Sequence, residues 1–465
     1  MQLTETEPPT PVRGWRELLG PAYLGPMVVL AGGVALYAIN IYLTTSLLPS
    51  AIDEIGGARF YAWATTIFLV ASVVAAVLVS RLLSAAGPRG AYLVAIAVFA
   101  VGTVVCTVAP DMTVLLLGRA LQGFGGGLLS GLGYALIRSV LPAHLWARAS
   151  ALVSGMWGLG TFVGPSLGGV FAQFGAWRLA FVVLAVLAAG IAAMVPRYIS
   201  GSRADASAVD AVPVRSMLLL SAAALVVSVA SLATRAGVAA AGVVAGLALL
   251  AVFVICERTS TTRVLPVITF AASNRLRWAY LTIALLAIAS TAETFVPLFG
   301  QRLGGLAPVA AGFLGAALAV GWTIGELSSA GAARPRTVRA VVVSGPALVA
   351  FGFLAAALSQ RETSSGWVIA TWVLALVVAG AGIGVAWPHL ATFVMGSVDD
   401  PGEGGRAAAA INTVQLVANA FGSALAGVLV NLGGSMSGSA RLLFGVFAVI
   451  AVAAVPMAWR AQPAR

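Results

Sequence analysis

Lysine is absent from this 465-residue chain, so its 26 basic Lys+Arg residues are all arginine. The chain has only 2 histidines and 2 cysteines, and charged residues make up only 9% of it. Each scarcity excludes something. Cys106 and Cys256 lie within or at the edge of apolar runs, and neither suggests a disulfide or a metal site. A Walker A loop is missing, so direct binding of ATP is not expected. No nucleophile, metal cluster or paired carboxylates converge in the sequence. That argues against an enzyme, and no cofactor is expected. A charged fraction of 9% is far below the roughly 25% of a soluble domain.

What fills the chain instead is apolar. Hydrophobic residues make up 60% of it, and the mean hydropathy is +1.01. Runs of about twenty such residues, each long enough for a ~30 Å hydrocarbon core, recur along most of its length. The pattern predicts helices over 27–48, 61–83, 91–109, 113–137, 150–172 and 179–197. A pair follows at 216–234 and 237–256, then six more at 278–300, 308–330, 340–358, 367–390, 406–431 and 440–458. A twelve-span reading would treat the middle pair as loop. Both are long and uncharged, so they are read as spans, giving about fourteen. The fold class expected is an all-α polytopic membrane protein.

The arginines orient it. With the N-terminus inside, Arg81/Arg89, Arg138/Arg148, Arg197/Arg203/Arg215, Arg258/Arg263/Arg275/Arg277 and Arg334/Arg336/Arg339 all fall on the cytoplasmic side. The other side receives only Arg59, Arg178, Arg235, Arg302, Arg361 and Arg441. This is the positive-inside bias, and it accounts for the net charge of +11. A nucleic-acid partner would need those arginines on one soluble face, and they are not so placed.

The expected organisation is a cytoplasmic N-terminal tail (1–26) with a candidate interfacial helix around Trp15, Leu18, Leu19 and Tyr23. An N-terminal six-helix bundle (27–198), a central linker with two additional helices (199–277), a C-terminal six-helix bundle (278–459) and a cytoplasmic tail (460–465) follow. The start of the chain is too polar for a signal peptide, so the first span is expected to be retained.

The most informative stretch runs from Gly155 to Gly169. Gly160, Gly164 and Gly168 recur every four residues and make a side-chain-free stripe on a helix. Such a stripe admits a neighbouring backbone. Pro165 removes a backbone donor inside the same helix and favours a bend. A smooth, bent helix suits two rigid halves that rock against each other, which points to a transporter.

Further residues carry a family resemblance. Gly118-Arg119-Ala-Leu-Gln122-Gly123, followed by Gly125-Gly126-Gly127, resembles the fourth-helix signature of the major facilitator superfamily. Gly155, Gly160, Gly164, Pro165, Gly168 and Gly169 look like that superfamily's antiporter motif, and Trp177-Arg178-Leu-Ala-Phe181 matches the segment that follows it. Gly380-Ala-Gly382-Ile-Gly384 leading to Pro388, and Asn412-Thr-Val-Gln415 with Gly422-Ser-Ala424, are similar to the twelfth and thirteenth spans of the fourteen-helix drug–proton antiporters. The resemblance implies two pseudo-symmetric six-helix bundles with two additional central helices. It also implies proton-coupled export by alternating access.

The chain departs from that pattern at two places. Where the family often carries a first-span acid nine positions before a proline, Pro49 is preceded by Asn40, which cannot exchange a proton. The loop after the second span reads Ser84-Ala-Ala-Gly87-Pro88-Arg89, with serine in place of the usual Asp. Any coupling must use other groups.

Ionisable residues inside a membrane are costly, by roughly 2.5–3.5 kcal/mol near a helix centre, so each asks for an explanation. Arg119 stays charged and cannot carry a proton, but it can bias a partner. Its alternative is a structural Arg bonded to backbone carbonyls and Gln122. Glu293 is the candidate proton carrier: charged, it holds a cation, and protonated it lets go. Its alternative is a packing role. Glu326, near Arg334, Arg336 and Arg339, suggests an ion pair or gate. His389 is a weaker candidate, expected to be hydrogen-bonded at the interface. A binding cavity near the midplane would draw on Tyr37, Asn40, Gln122, Trp157, Phe162, Trp322, Asn412, Gln415 and Asn419. The last three share one helical face, and interhelical bonding is the alternative for them.

Three functional readings remain. The first is a proton-coupled exporter of amphipathic, cationic or neutral compounds in a bacterial inner membrane, monomeric, with both termini cytoplasmic. The second is an uncoupled or differently coupled transporter of one metabolite or lipid-like molecule. The third is a transport-inactive scaffold or sensor, against which the small soluble loops argue.

Overall fold

The computed structural model describes residues 15–142, 145–199, 213–233, 235–260, 263–271, 274–329, 331–332, 334–397 and 401–462. Most of the tail 1–26, residues 200–212 of the linker, the side chains of Arg138 and Asn412, and the last residues of the C-terminal tail lie outside the described residues. Every expected span is helical. α1 is Leu24–Ile55, and one bent helix, Tyr61–Thr107, supplies α2 (61–86) and α3 (88–107). The bend is at Gly87, where φ is 69° and Pro88 follows, a backbone that favours glycine. α4 is Met112–Ala135, α5 Trp146–Gln173 and α6 Trp177–Tyr198. The middle pair is α7, Val214–Ala230, and α8, Ala236–Thr259. α9 spans Leu276–Arg302, then come α10 Pro308–Ser329, α11 Pro335–Ser359, α12 Gly366–Gly396, α13 Pro401–Leu432 and α14 Met436–Ala461. Among the described residues, twelve helical segments are long and apolar enough to cross a membrane, α7 and α5 falling outside that group.

The first six helices and the last six form two bundles, with α7 and α8 beside them. Close backbone approach holds each bundle together, and glycine makes it possible. A Cβ on Gly123 would lie 2.2 Å from the Phe68 carbonyl, and one on Gly125 2.3 Å from the Phe99 nitrogen. In the second bundle the same role falls to α12, where a Cβ on Gly384 would lie 2.0 Å from the Trp322 carbonyl. The Gly380–Gly384 signature is therefore used for packing on α10 and α11.

The helix starts of α1 and α9 and the ends of α6 and α14 share one side of the molecule, here the terminal side. The opposite, far side is where the bundles meet. Asp53 at the end of α1 pairs with Arg302 at the end of α9. Tyr61 donates to the Thr294 carbonyl at 3.2 Å, and Thr66 to Ser423 at 3.2 Å. Of the scattered arginines of the far side, Arg178 pairs with Glu54 and donates to the Ala109 carbonyl, and Arg441 donates to the Gln360 carbonyl.

Candidate functional site

The glycine stripe of α5 lies against α1. A Cβ at Gly160 would lie 2.8 Å from Ala38, at Gly164 2.5 Å from Tyr42 Cβ, and at Gly168 2.3 Å from the Leu43 carbonyl. Gly169 faces the other bundle, where its Cβ would fall 2.6 Å from Val309 Cα. Gly312 of α10 closes on Ser46 and on the Pro165 ring. α5 stays helical through Pro165. Gly155 departs from the expected motif role: nothing lies within 4 Å of the Cβ it lacks. It lies on the exposed face of α5, while Val153 and Ala149 of the same helix are fully buried against the first bundle.

Arg119 projects from α4 into the first bundle and is 1% exposed. Its Nε donates to the Ala64 carbonyl at 3.0 Å, and its Nη1 donates to Gln122 Oε1 at 2.9 Å and to Asn40 Oδ1. The guanidinium lies 4.2 Å from the centre of the Phe68 ring. Thr44 donates to the same Asn40 oxygen at 3.1 Å, and Gln122 donates to Thr103 at 3.0 Å. Among the described residues no carboxylate meets this cation; amide and carbonyl oxygens and a ring face hold it. Asn40 thus occupies the position of the missing acid as a neutral acceptor. Tyr37 seals the site, stacked on Phe68 at 5.3 Å and edge-on to Trp157 at 5.6 Å.

Glu293 belongs to the second bundle. Its segment, Thr291–Phe295, is a 3-10 turn that interrupts α9 between Leu276–Ser290 and Val296–Arg302. Such a mid-helix change of winding is a common mark of a functional hinge. Glu293 is half-buried, and among the described residues its carboxyl takes no hydrogen bond or ion pair. Tyr42 of α1 is near enough to interact with its charge, and lies against Thr161 of α5. Arg119 and Glu293 are therefore not a pair. Each sits in its own bundle with its own partners.

The other candidates divide. Trp157 and Phe162 are exposed on α5, at 36% and 57%, Trp157 with its ring meeting Tyr37 edge-on. Trp322 packs on Trp387 with ring centres 5.0 Å apart. Gln415 and Asn419 are half-buried on α13, and Asn419 Oδ1 is a buried acceptor that finds no partner among the described residues. Gln122 and Asn40 are fully buried behind Tyr37, so in this conformation they hold Arg119 and do not line a cavity. The ion pair expected of Glu326 is not formed here. Glu326 faces the indole of Trp322 one turn earlier, while Arg334 and Arg336 are exposed and Arg339 lies over Trp459. His389 hydrogen-bonds to the Ser329 carbonyl at 3.0 Å, as expected of an interfacial histidine.

Sequence reasoning missed Tyr42, Thr161, Phe68 and the Asp53–Arg302 pair. Phe68 sits in an apolar run with no distinguishing neighbour, and Asp53 and Arg302 are 249 residues apart. It also passed over Glu257 at the end of α8, fully buried, which accepts from the Ser216 hydroxyl and from the backbone N–H groups of Val264 and Leu265 at 2.9 Å each.

Comparison with known proteins gives the same architecture. Residues 30–423 match the sequence pattern of the Major Facilitator Superfamily. A Mycobacterium tuberculosis protein named a probable multidrug-efflux transporter is 51% identical over 465 residues, covering 98% of each chain. An uncharacterized MFS-type transporter of the same species is 30% identical over 91% of this chain and 62% of its own. Among solved structures, a POT family transporter superposes with a TM-score of 0.69 at 12% identity, covering 94% of this chain and 97% of that one. A D-xylose–proton symporter does so with a TM-score of 0.66 at 14% identity, covering 95% and 98%. These structural likenesses show the fold.

Proposed function

Because the chain belongs to the major facilitator superfamily, we propose that it is a proton-coupled exporter of amphipathic small molecules working by alternating access. Its setting is the bacterial inner membrane, with both termini in the cytoplasm, no cofactor, and the proton gradient as energy source. The observation that carries this reading is Glu293, an unpartnered carboxyl on a broken helix, facing the interior beside Tyr42. An ionised carboxylate only accepts hydrogen bonds, and a protonated one also donates, so one group can hold a cation or a proton in turn. The relationship to a probable multidrug-efflux transporter supports the substrate class.

The cycle follows from where the bundles touch. In this conformation the far side is closed by Asp53–Arg302, by Tyr61 on Thr294, and by the α5–α10 glycine contact. Substrate reaches Glu293 from the terminal side. The bundles then rock about the smooth α1–α5 contact and open the far side, where a proton displaces the cation. Arg119 keeps α1, α2 and α4 together as one body and places a fixed positive charge in the first bundle. The test is transport in membrane vesicles with an imposed pH gradient, comparing the unmodified protein with Glu293→Gln.

A second reading is favoured by Asn40. With a neutral amide in place of the first-span acid, transport of one metabolite or lipid-like molecule without protons is the alternative. Transport that ignores the gradient would select it.

A further inference from the structure

On the terminal side, the second bundle carries arginines stacked on indoles. Arg460, in the last turn of α14, lies with its guanidinium 4.8 Å from the centre of the Trp278 ring of α9. Arg277 approaches the same ring at 5.2 Å. Arg339, near the start of α11, lies 5.3 Å from the centre of the Trp459 ring of α14. Arg275 donates to the Gln462 carbonyl at 2.7 Å, where the chain leaves α14. Arginine side chains thus join three helices at one level.

Two other arginines stack on rings, and they spend their donors differently. Arg119 over Phe68 and Arg178 over Trp177 both give their N–H groups to protein oxygens. Among the described residues, Arg339 and Arg460 make no hydrogen bond or ion pair. A guanidinium held by its face keeps the N–H donors along its edge available. That edge matches two oxygens of a phosphate.

The adjoining surface fits a lipid. Val449, Val452, Pro456 and Trp459 fall at i, i+3, i+7 and i+10 of α14, and all four are exposed. They make one apolar strip that ends at an indole. Tryptophan is enriched where hydrocarbon meets headgroups, so Trp459, 55% exposed, marks that level. The arginines then stand at the depth of the phosphates, with the strip running into the hydrocarbon beside them. A soluble anion would use the arginines and leave the strip uncovered. A zwitterionic headgroup would bring its own ammonium against them.

We infer that the shared end of α9, α11 and α14 is a binding surface for an anionic phospholipid of the leaflet nearer the termini. Arg460 and Arg339 hold the headgroup phosphate, and an acyl chain lies along the Val449–Trp459 strip. The bound lipid ties three helices of the second bundle together at their ends. The inference stands apart from the transported substrate and from any proton coupling.

The test uses the purified full-length protein in detergent, with bound lipid counted by native mass spectrometry. Dioleoylphosphatidylglycerol is the anionic probe and dioleoylphosphatidylcholine the zwitterionic one. The unmodified protein should bind the first more tightly. Removing two basic groups with Arg339→Gln and Arg460→Gln should cut that preference by about fivefold or more. Arg460→Gln alone, as a milder second variant, should cut it by at least about twofold. Arg81→Gln with Arg215→Gln removes the same charge from two exposed terminal-side arginines that lie over no ring among the described residues, and should leave the preference unchanged. Inorganic phosphate at the same concentration should not displace the lipid. Equal losses in the two double variants would reduce the effect to diffuse surface charge and overturn the site. An unchanged preference in Arg460→Gln and in the Arg339–Arg460 double variant would also overturn it. Displacement by inorganic phosphate would make it a site for free anions and overturn the lipid assignment.

Discussion

The Arg119 guanidinium is bonded to the amide oxygen of Asn40, one fully buried neutral side chain holding a buried cation. The oxygen also accepts from Thr44, so both α1 and α4 depend on it. A hydrogen bond to a charged group contributes about 1.5–3 kcal/mol. Asn40→Ala is expected to lower the unfolding free energy by about that much, read as a lower melting temperature of the purified protein. Asn40→Asp keeps the acceptor and adds a charge complementary to Arg119, so it is expected to melt at or above the unmodified protein.

The α5 stripe gives a graded contrast. A side chain at Gly164 collides with Tyr42 and with the α1 backbone at 2.9 Å, whereas one at Gly158 meets nothing. Overpacking costs typically about 1–3 kcal/mol, and more where backbone must move. Gly164→Val should reduce the yield of folded protein on size-exclusion chromatography, and Gly158→Ala should leave it unchanged.

The Asp53–Arg302 pair closes the far side from an exposed position, so its contribution is modest, about 0.2–1 kcal/mol. Arg302→Asp should therefore shift the balance of open and closed states by no more than about fivefold, and the effect should fade in high salt. The double change Asp53→Arg with Arg302→Asp should restore it. Labelling of a cysteine placed at the far side measures the shift.

Glu257 anchors the connection after α8. Replacing it with leucine leaves the backbone donors of Val264 and Leu265 without their acceptor, at about 1–3 kcal/mol for each buried donor. Glu257→Gln retains one acceptor oxygen and should lose less. Thermal unfolding of the two variants side by side checks the order.

Much of this architecture is legible in the sequence because a bilayer imposes one strong rule: every spanning backbone must satisfy its own hydrogen bonds. The apolar runs therefore translate directly into helices, including α7, which a twelve-span reading would discard. The glycine stripe was readable for the same reason, since Gly160, Gly164 and Gly168 could only be tolerated where a backbone fills the gap they leave. Partnerships were not. Glu326 stands near Arg334 and Arg336 in the chain, yet a helix end carries those arginines outward while Trp322, one turn back, takes the carboxyl's near side. Gln122 and Asn40 read as cavity residues because they are polar, but the cost of a buried guanidinium draws both inward to Arg119. The 3-10 turn under Glu293 has no reliable local signature, as its polar residues suit an α-helix equally well.

The most direct test of the account is uptake of a cationic dye into inverted membrane vesicles, with a pH gradient imposed and then collapsed. The account predicts gradient-dependent accumulation by the unmodified protein and its loss in Glu293→Gln, with the folded protein still present in the membrane. Accumulation by Glu293→Gln that equals the unmodified protein and still follows the gradient would contradict it.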